Sequence, residues 1–169
     1  MDSSDLLVDA FGRVSGIVNR VVEGLSAEQL SFRVDDHTNS IAWLVWHLSR
    51  IQDDHIAEVA GTEQVYTSGG WADRFALPFK PSSTGFGHSQ DDVAAVRVES
   101  GELLTDYHDA VLQQTLRFLE PLDDDSFARI VDESWDPPVS LGVRLVSVIS
   151  DNLQHAGQAA FVRGIVDRA

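Results

Sequence analysis

The sequence predicts an all-α protein: a four-helix bundle with a long crossover between its second and third helices. Two observations carry this reading. Four long stretches repeat apolar residues three and four apart, the period of a helix that buries one face. Between the second and third of them lies a Gly- and Pro-punctuated segment from Gly61 to Gln90. A connection that long lets the helices it joins run the same way, whereas short connections force neighbours antiparallel.

The first helix follows Asp2, Ser3 and Ser4, all candidate N-caps, and carries Leu6, Leu7, Phe11, Val14, Val18, Val21 and Val22 up to Gly24. Ser26 and Gln29 have capping-box spacing and open one short turn, with Leu25 and Leu30 folding over the end of the bundle. The second helix runs from Asn39 or Ser40 to Ala60 on a stripe of Ile41, Leu44, Val45, Leu48, Ile51, Ile56 and Val59, and Gly61 supplies the left-handed residue that ends it. In the crossover, Tyr66, Trp71, Phe75, Phe79 and Phe86 give apolar bulk that argues for an ordered segment over a floppy linker. A short turn at Asp91 to Val96 precedes the third helix, from Ser100 to Leu119, which Pro121 ends. The stretch from Leu122 to Pro138 reads as irregular, its run Asp123, Asp124 and Asp125 as a solvated helix start. The fourth helix is capped by Ser140 and continues from Leu141 through Leu145, Val148, Ile149, Asn152, Ala156, Ala159 and Val162.

Composition narrows the function. The 169 residues, 43% of them apolar, are enough for one domain with its own core, spanning residues 1–169. No run approaches the roughly 20 apolar residues that span a bilayer, and the N-terminus lacks the basic and apolar blocks of a signal peptide, so a cytoplasmic protein without a membrane partner is expected. Acidic residues outnumber basic ones 27 to 12, the formal charge is −15, and Lys80 is the only lysine. With the arginines scattered singly, no basic patch exists to hold a phosphate backbone, which excludes a nucleic-acid partner. Cysteine is absent, and with it disulfides, thiolate ligands and a protein thiol nucleophile. Any sulfur chemistry must come from a bound thiol.

One constellation carries chemistry. Asp151 and His155 are four residues apart, and at about 100° per residue both fall on one stripe of the fourth helix, beside its core positions. A carboxylate and an imidazole so placed form a clamp for a divalent ion. His47, at the margin of the apolar stripe of the second helix, can face a neighbouring helix and supply a third donor. Two histidines and a carboxylate leave positions open for water or substrate, the pattern of catalytic sites. Zinc is the first choice, and iron, nickel or manganese suit the same donors. The competing reading makes each histidine a hydrogen-bonded packing residue. His55 sits nearer the middle of the apolar face and is an alternative ligand, while Asp53, Asp54 and Glu58 read as solvated carboxylates or as groups that orient imidazoles.

The run from Asn39 through Ala42, Trp43, Trp46 and His47 to Leu48, followed by Asp151, Asn152, Leu153, Gln154, His155, Ala156, Gly157 and Gln158, resembles the DinB-like superfamily over nearly the whole chain. Within it, Gln52 to His55, the Gly-Trp and Leu-Pro-Phe elements of the crossover, and Trp135 to Val139 resemble its actinobacterial mycothiol S-transferase branch, which is related to the mycothiol-dependent maleylpyruvate isomerases. The resemblance implies a bundle with a long crossover, a homodimer, and a zinc or similar ion held by His47, Asp151 and His155. Asp151 stands where many relatives carry His and where the isomerases carry a carboxylate. The chemistry implied is transfer of a low-molecular-weight thiol, mycothiol, to an electrophilic small molecule, the metal favouring the thiolate. Arg144 and Gln158, on the Asp151 side of the fourth helix, and Trp43 and Trp71, as cleft walls, are the candidates for binding the thiol. Two other functions use the same residues: a metal-dependent hydrolase or isomerase acting through water, and a non-catalytic, stress-associated metal-binding dimer.

Overall fold

A computed structural model describes residues 2–168. Helices α1 (Ser3–Val22), α3 (Ile41–Ala60), α7 (Gly101–Leu119) and α8 (Leu141–Val166) are the four long elements, and α2 (Ala27–Leu30) is the short turn after α1. Local chemistry sets their ends. Asp2 and Asp5 form a capping box on α1, and Ser26 and Gln29 form one on α2. The hydroxyls of Ser40 and Ser140 accept from the backbone N–H of Trp43 and Val143 at the starts of α3 and α8. Gly61 ends α3 at φ 66°, a conformation that costs a residue without Cβ little.

The helices form a ring in the order α1, α7, α3, α8. Contacts along α3 climb together with those along α7, from Ser49 against His108 to Gln52 against Thr115, so these two run parallel. Along α8 they descend: His47 meets His155, Gln52 meets Asn152, and His55 meets Arg144. Helices α3 and α8 are therefore antiparallel, and the crossover is what allows α3 and α7 to point the same way.

The crossover holds three short helices, α4 (Val65–Ser68), α5 (Trp71–Phe75) and α6 (Gln90–Ala95). Tyr66, Trp71 and Phe75 are buried and packed on Tyr107 of α7, and Phe79 packs against Trp46, whereas Phe86 is exposed. Between Leu122 and Pro138 the structure is more regular than expected. A 3-10 helix at Asp124–Ala128, capped by Asp123, leads into strand β1 (Ile130–Asp132), which pairs antiparallel with β2 (Val139–Ser140). Strands of two and three residues are too short to show a period in sequence.

Among the described residues two apolar clusters make up the core. The larger includes Val14, Val18, Leu44, Leu48, Leu104, Val111, Ala156 and Ala159, and the smaller Phe11, Ile56, Leu119, Leu141, Leu145 and Val148. At the level of Ser49 to Asn152, a buried polar layer crosses three helices. Asn152 donates to Gln52 at 2.7 Å, Gln52 donates to Thr115 at 2.8 Å, and Ser49 pairs with Nδ1 of His108 at 3.0 Å. No helix among the described residues is long and apolar enough to cross a membrane.

Candidate metal centre

Helix α3 is covered on nearly every side, by α7, by α8 and by the crossover, and this changes the meaning of its polar residues. Arg50 and Asp53 are buried, so Asp53 is not the solvated carboxylate its sequence context suggested. Its carboxylate accepts from the N–H of Val65 and Tyr66 and from the Tyr107 hydroxyl, each at 2.8 Å, and pairs with Arg50 at 3.3 Å. Burial pushes the Asp53 pKa up, against the pull of these donors. Arg50 Nη1 also donates to the Tyr107 hydroxyl at 3.3 Å, and its other N–H groups go to the crossover: Nε donates to Ser83 O at 3.1 Å, and Nη2 to Pro81 O at 3.1 Å and to Gln64 at 2.8 Å. The strap at residues 81–85 is thereby tied down over the next turn of α3.

There the strap meets His47. The Thr84 carbonyl lies 2.6 Å from His47 Nδ1. A carbonyl only accepts, so Nδ1 carries the proton, and in the neutral ring the lone pair is on Nε2. Gly85, at φ 91°, permits the approach, because a Cβ there would sit 2.8 Å from that same Nδ1. The Trp43 ring stacks on His47 with centroids 4.5 Å apart, and its indole N–H donates to Nδ1 of His88 at 3.2 Å. His47 is only 5% exposed, and burial lowers its pKa, with the Thr84 bond opposing. It is neutral at pH 7, as a ligand must be.

Across the interface, one donor atom from each of His47, Asp151 and His155 lies within 4.8 Å of the others, an arrangement able to hold a metal ion. His155 is oriented much as His47 is: its Nδ1 lies 3.1 Å from Oε1 of Gln158, leaving Nε2 3.5 Å from Oδ1 of Asp151. Burial pushes the His155 pKa down, but the hydrogen bonds to Asp151 and Gln158 outweigh it and the net shift is upward. The other Asp151 oxygen, Oδ2, is buried with no hydrogen-bond partner among the described residues. Tetrahedral zinc with bonds of about 2.0–2.1 Å needs ligand atoms about 3.3 Å apart. The Asp151–His155 pair, at 3.5 Å, is nearly there, and His47 offers its atom within 4.8 Å of both. Two imidazoles with their far nitrogens engaged, beside a carboxylate oxygen lacking any partner, fit a borderline divalent cation.

The other sequence candidates separate. Gln158 and Trp43 contact the two histidines and so belong to the cluster's surroundings. Arg144 lies in the same α3–α8 groove, two turns before Asp151, paired with Asp132 at 2.8 Å and with its Nε buried and unpartnered. Trp71 is not a cleft wall: it is 8% exposed, packs on Tyr107 in the core, and is covered by the guanidinium of the exposed Arg74. His55 is less buried than His47, correcting the expected order, and its neighbours are Glu58 and Arg144. Eight residues, or about 12 Å of helix, separate it from His47. Thr84, Gly85 and His88 were not anticipated, since they act on α3 from the distant crossover.

A parallel–antiparallel bundle with one long crossover and a His-Asp-His cluster between α3 and α8 defines a DinB-like helical bundle. The family model for mycothiol S-transferases matches residues 6–168, and the chain belongs to that family. Among solved structures, it is similar to a conserved protein from Enterococcus faecalis, with a TM-score of 0.93 and 27% identity over 100% of this chain and 99% of that one. No curated protein matches.

Proposed function

We propose that this protein transfers mycothiol to an electrophilic small molecule at a centre where His47, Asp151 and His155 hold a divalent cation, zinc first among the candidates. The observation that carries the reading is the convergence of three donors whose remaining atoms are engaged elsewhere or, at Asp151 Oδ2, await a partner. Family membership points to the thiol, and a chain without cysteine cannot supply the sulfur itself. When bound, such a cation lowers the pKa of a thiol and favours the thiolate at neutral pH. Sulfur then forms a C–S bond with the electrophilic carbon while a leaving group departs with its bonding pair, the thiol proton passing to solvent.

The chain's own residues prepare that step. Thr84 and Gln158 fix the two imidazoles, and Trp43 covers one face of His47. Arg144, at the polar end of the groove with a free buried N–H, is the group assigned here to the hydroxyl-rich body of the thiol. Two copies would associate through the outward face of α8, where Val143, Val146 and Leu153 are exposed at heptad spacing without a charged neighbour on that stripe.

The test is elemental analysis of untagged wild type and of His47→Ala, Asp151→Asn and His155→Ala, followed by mycothiol-dependent consumption of an electrophile. About one equivalent of metal in wild type, lost in each variant, with turnover that requires the thiol, is expected. Wild type without metal after reconstitution, or turnover without any thiol, overturns the reading; the latter selects a metal-dependent hydrolase or isomerase.

A further inference from the structure

The groove between α3 and α8 differs at its two ends. Because the helices are antiparallel, moving toward the start of α3 moves toward the end of α8. In one direction from the His-Asp-His cluster lie His55, Arg144 and Asp132, all polar. In the other, one helical turn or about 5 Å away, a cavity of about 530 Å³ opens, walled by Leu44 and Val162 and rimmed by Val34 and Phe161. Phe161 is 68% exposed and Val34 46% exposed, so large apolar groups stand in water at this mouth. In a chain of charge −15, no Asp, Glu, Lys or Arg lines it. Its polar groups are those of Asn39, Thr38, His37 and Gln158.

The outer wall is preorganised. Arg33 Nε donates to Thr38 O at 2.6 Å, and Asp35 accepts from the N–H of His37 at 2.8 Å, which holds the loop carrying Val34 to Asn39. Gln158 links cavity and cluster, since it lines the one and bonds His155 of the other.

Resting on the thiol-transfer reading, we infer that this cavity seats the apolar body of the electrophile, and that the substrates are uncharged aryl or alkyl compounds. A volume of this size suits a small ligand. Apolar walls gain by covering an apolar body, whereas a carboxylate would be desolvated there with no Lys or Arg in the lining to pair it. A polyhydroxylated thiol would cover Leu44, Val162 and Phe161 poorly, and the unpartnered Nε of Arg144 offers it a charged donor, so it belongs at the Arg144 end. The reacting carbon then lies between the two, at the cluster.

The test needs no turnover. The full-length protein, without thiol, is titrated with 1,3-dinitrobenzene, an uncharged aryl probe with no leaving group, and with 3,5-dinitrobenzoate, its anionic counterpart, and amide shifts are followed by NMR. The neutral probe is expected to move Gly157, Gln158 and Val162 and to saturate, with the anion binding at least about tenfold more weakly. Phe161→Asp, at an exposed position that leaves Tm near wild type, should weaken the neutral probe by about tenfold or more. Shifts confined to other regions, equal binding of the two probes, or a Phe161→Asp variant that changes only the oligomeric state would overturn the inference. A parallel assay of thiol-dependent turnover of 1-chloro-2,4-dinitrobenzene separates the two readings. Turnover with an unchanged KM in Phe161→Asp sinks the cavity alone. Binding as expected with no thiol-dependent turnover sinks the transfer reaction and leaves an apolar ligand site.

Discussion

The Thr84 carbonyl oxygen and His47 Nδ1 lie 2.6 Å apart, so a histidine in the middle of α3 takes its orientation from a strap that joins the chain 37 residues later. Gly85, next in sequence, has room for no side chain at that spot. The strap is held in turn by Arg50, whose guanidinium reaches Pro81 O and Ser83 O. One side of the candidate metal centre is therefore oriented by the Thr84 carbonyl of the crossover, and changes in the strap reach His47 without altering any of the three clustered residues.

Gly85→Ala tests that dependence most directly. A Cβ 2.8 Å from the imidazole, on a backbone at φ 91°, forces the strap away and breaks the His47–Thr84 bond. Metal affinity should fall by roughly 10–100-fold. Competition titration with a chromophoric chelator reads the affinity, and nitrogen NMR of the His47 ring in metal-free protein reads the lost Nδ1–H tautomer. Unchanged tautomer and affinity would remove the strap from the account.

Arg50→Met leaves the buried Asp53 carboxylate without its guanidinium and three crossover acceptors without a donor. Breaking a buried pair from one side costs about 3–5 kcal/mol. Urea unfolding at pH 7 should show a loss of that order, with the crossover's amide protection falling before that of α1. A loss below about 1 kcal/mol would mean that water reaches the network more freely than its burial implies.

The pH dependence of stability should carry the mark of His108. It is fully buried, and burial lowers its pKa from 6.5 to about 4. In the unfolded chain it protonates near pH 6.5, so between there and pH 4 the unfolded state holds the extra proton and stability falls as pH falls. From pH 7 to pH 5 this one group removes about 2 kcal/mol. His47 and His88, also shifted downward, add to the slope in the same direction. Urea midpoints at pH 7, 6 and 5 for wild type and His108→Gln isolate its share, since the variant should lose less stability over that range.

Leu153→Arg addresses self-association. Placing a cation on the exposed apolar stripe of α8 should convert the proposed dimer into monomers with little change in Tm, because Leu153 is 44% exposed in the single chain and an arginine there can reach water. Light scattering after gel filtration gives the mass. A dimer that survives the change would locate the contact on another face.

The sequence by itself determined the four long helices and where they begin and end, since periodicity, Ser40, Ser140 and Gly61 act within a turn or two of their own position. It also determined that Asp151 and His155 share a stripe, because four residues of helix allow no other outcome. Their meeting with His47 was expected from the apolar margin on which His47 lies, and packing of α3 against α8 decided it. Which residues of α3 would be buried could not be read locally. Arg50 and Asp53 point away from the stripe of Leu44 and Leu48, and they are buried only because the crossover supplies acceptors and backbone N–H groups that replace water. Trp71 went to the core and Phe86 to solvent by the same cause: one aromatic met Tyr107 across the bundle, and the other met nothing. Local periodicity specifies the long helices; the packing of α8 and of the crossover on α3 brings the site together.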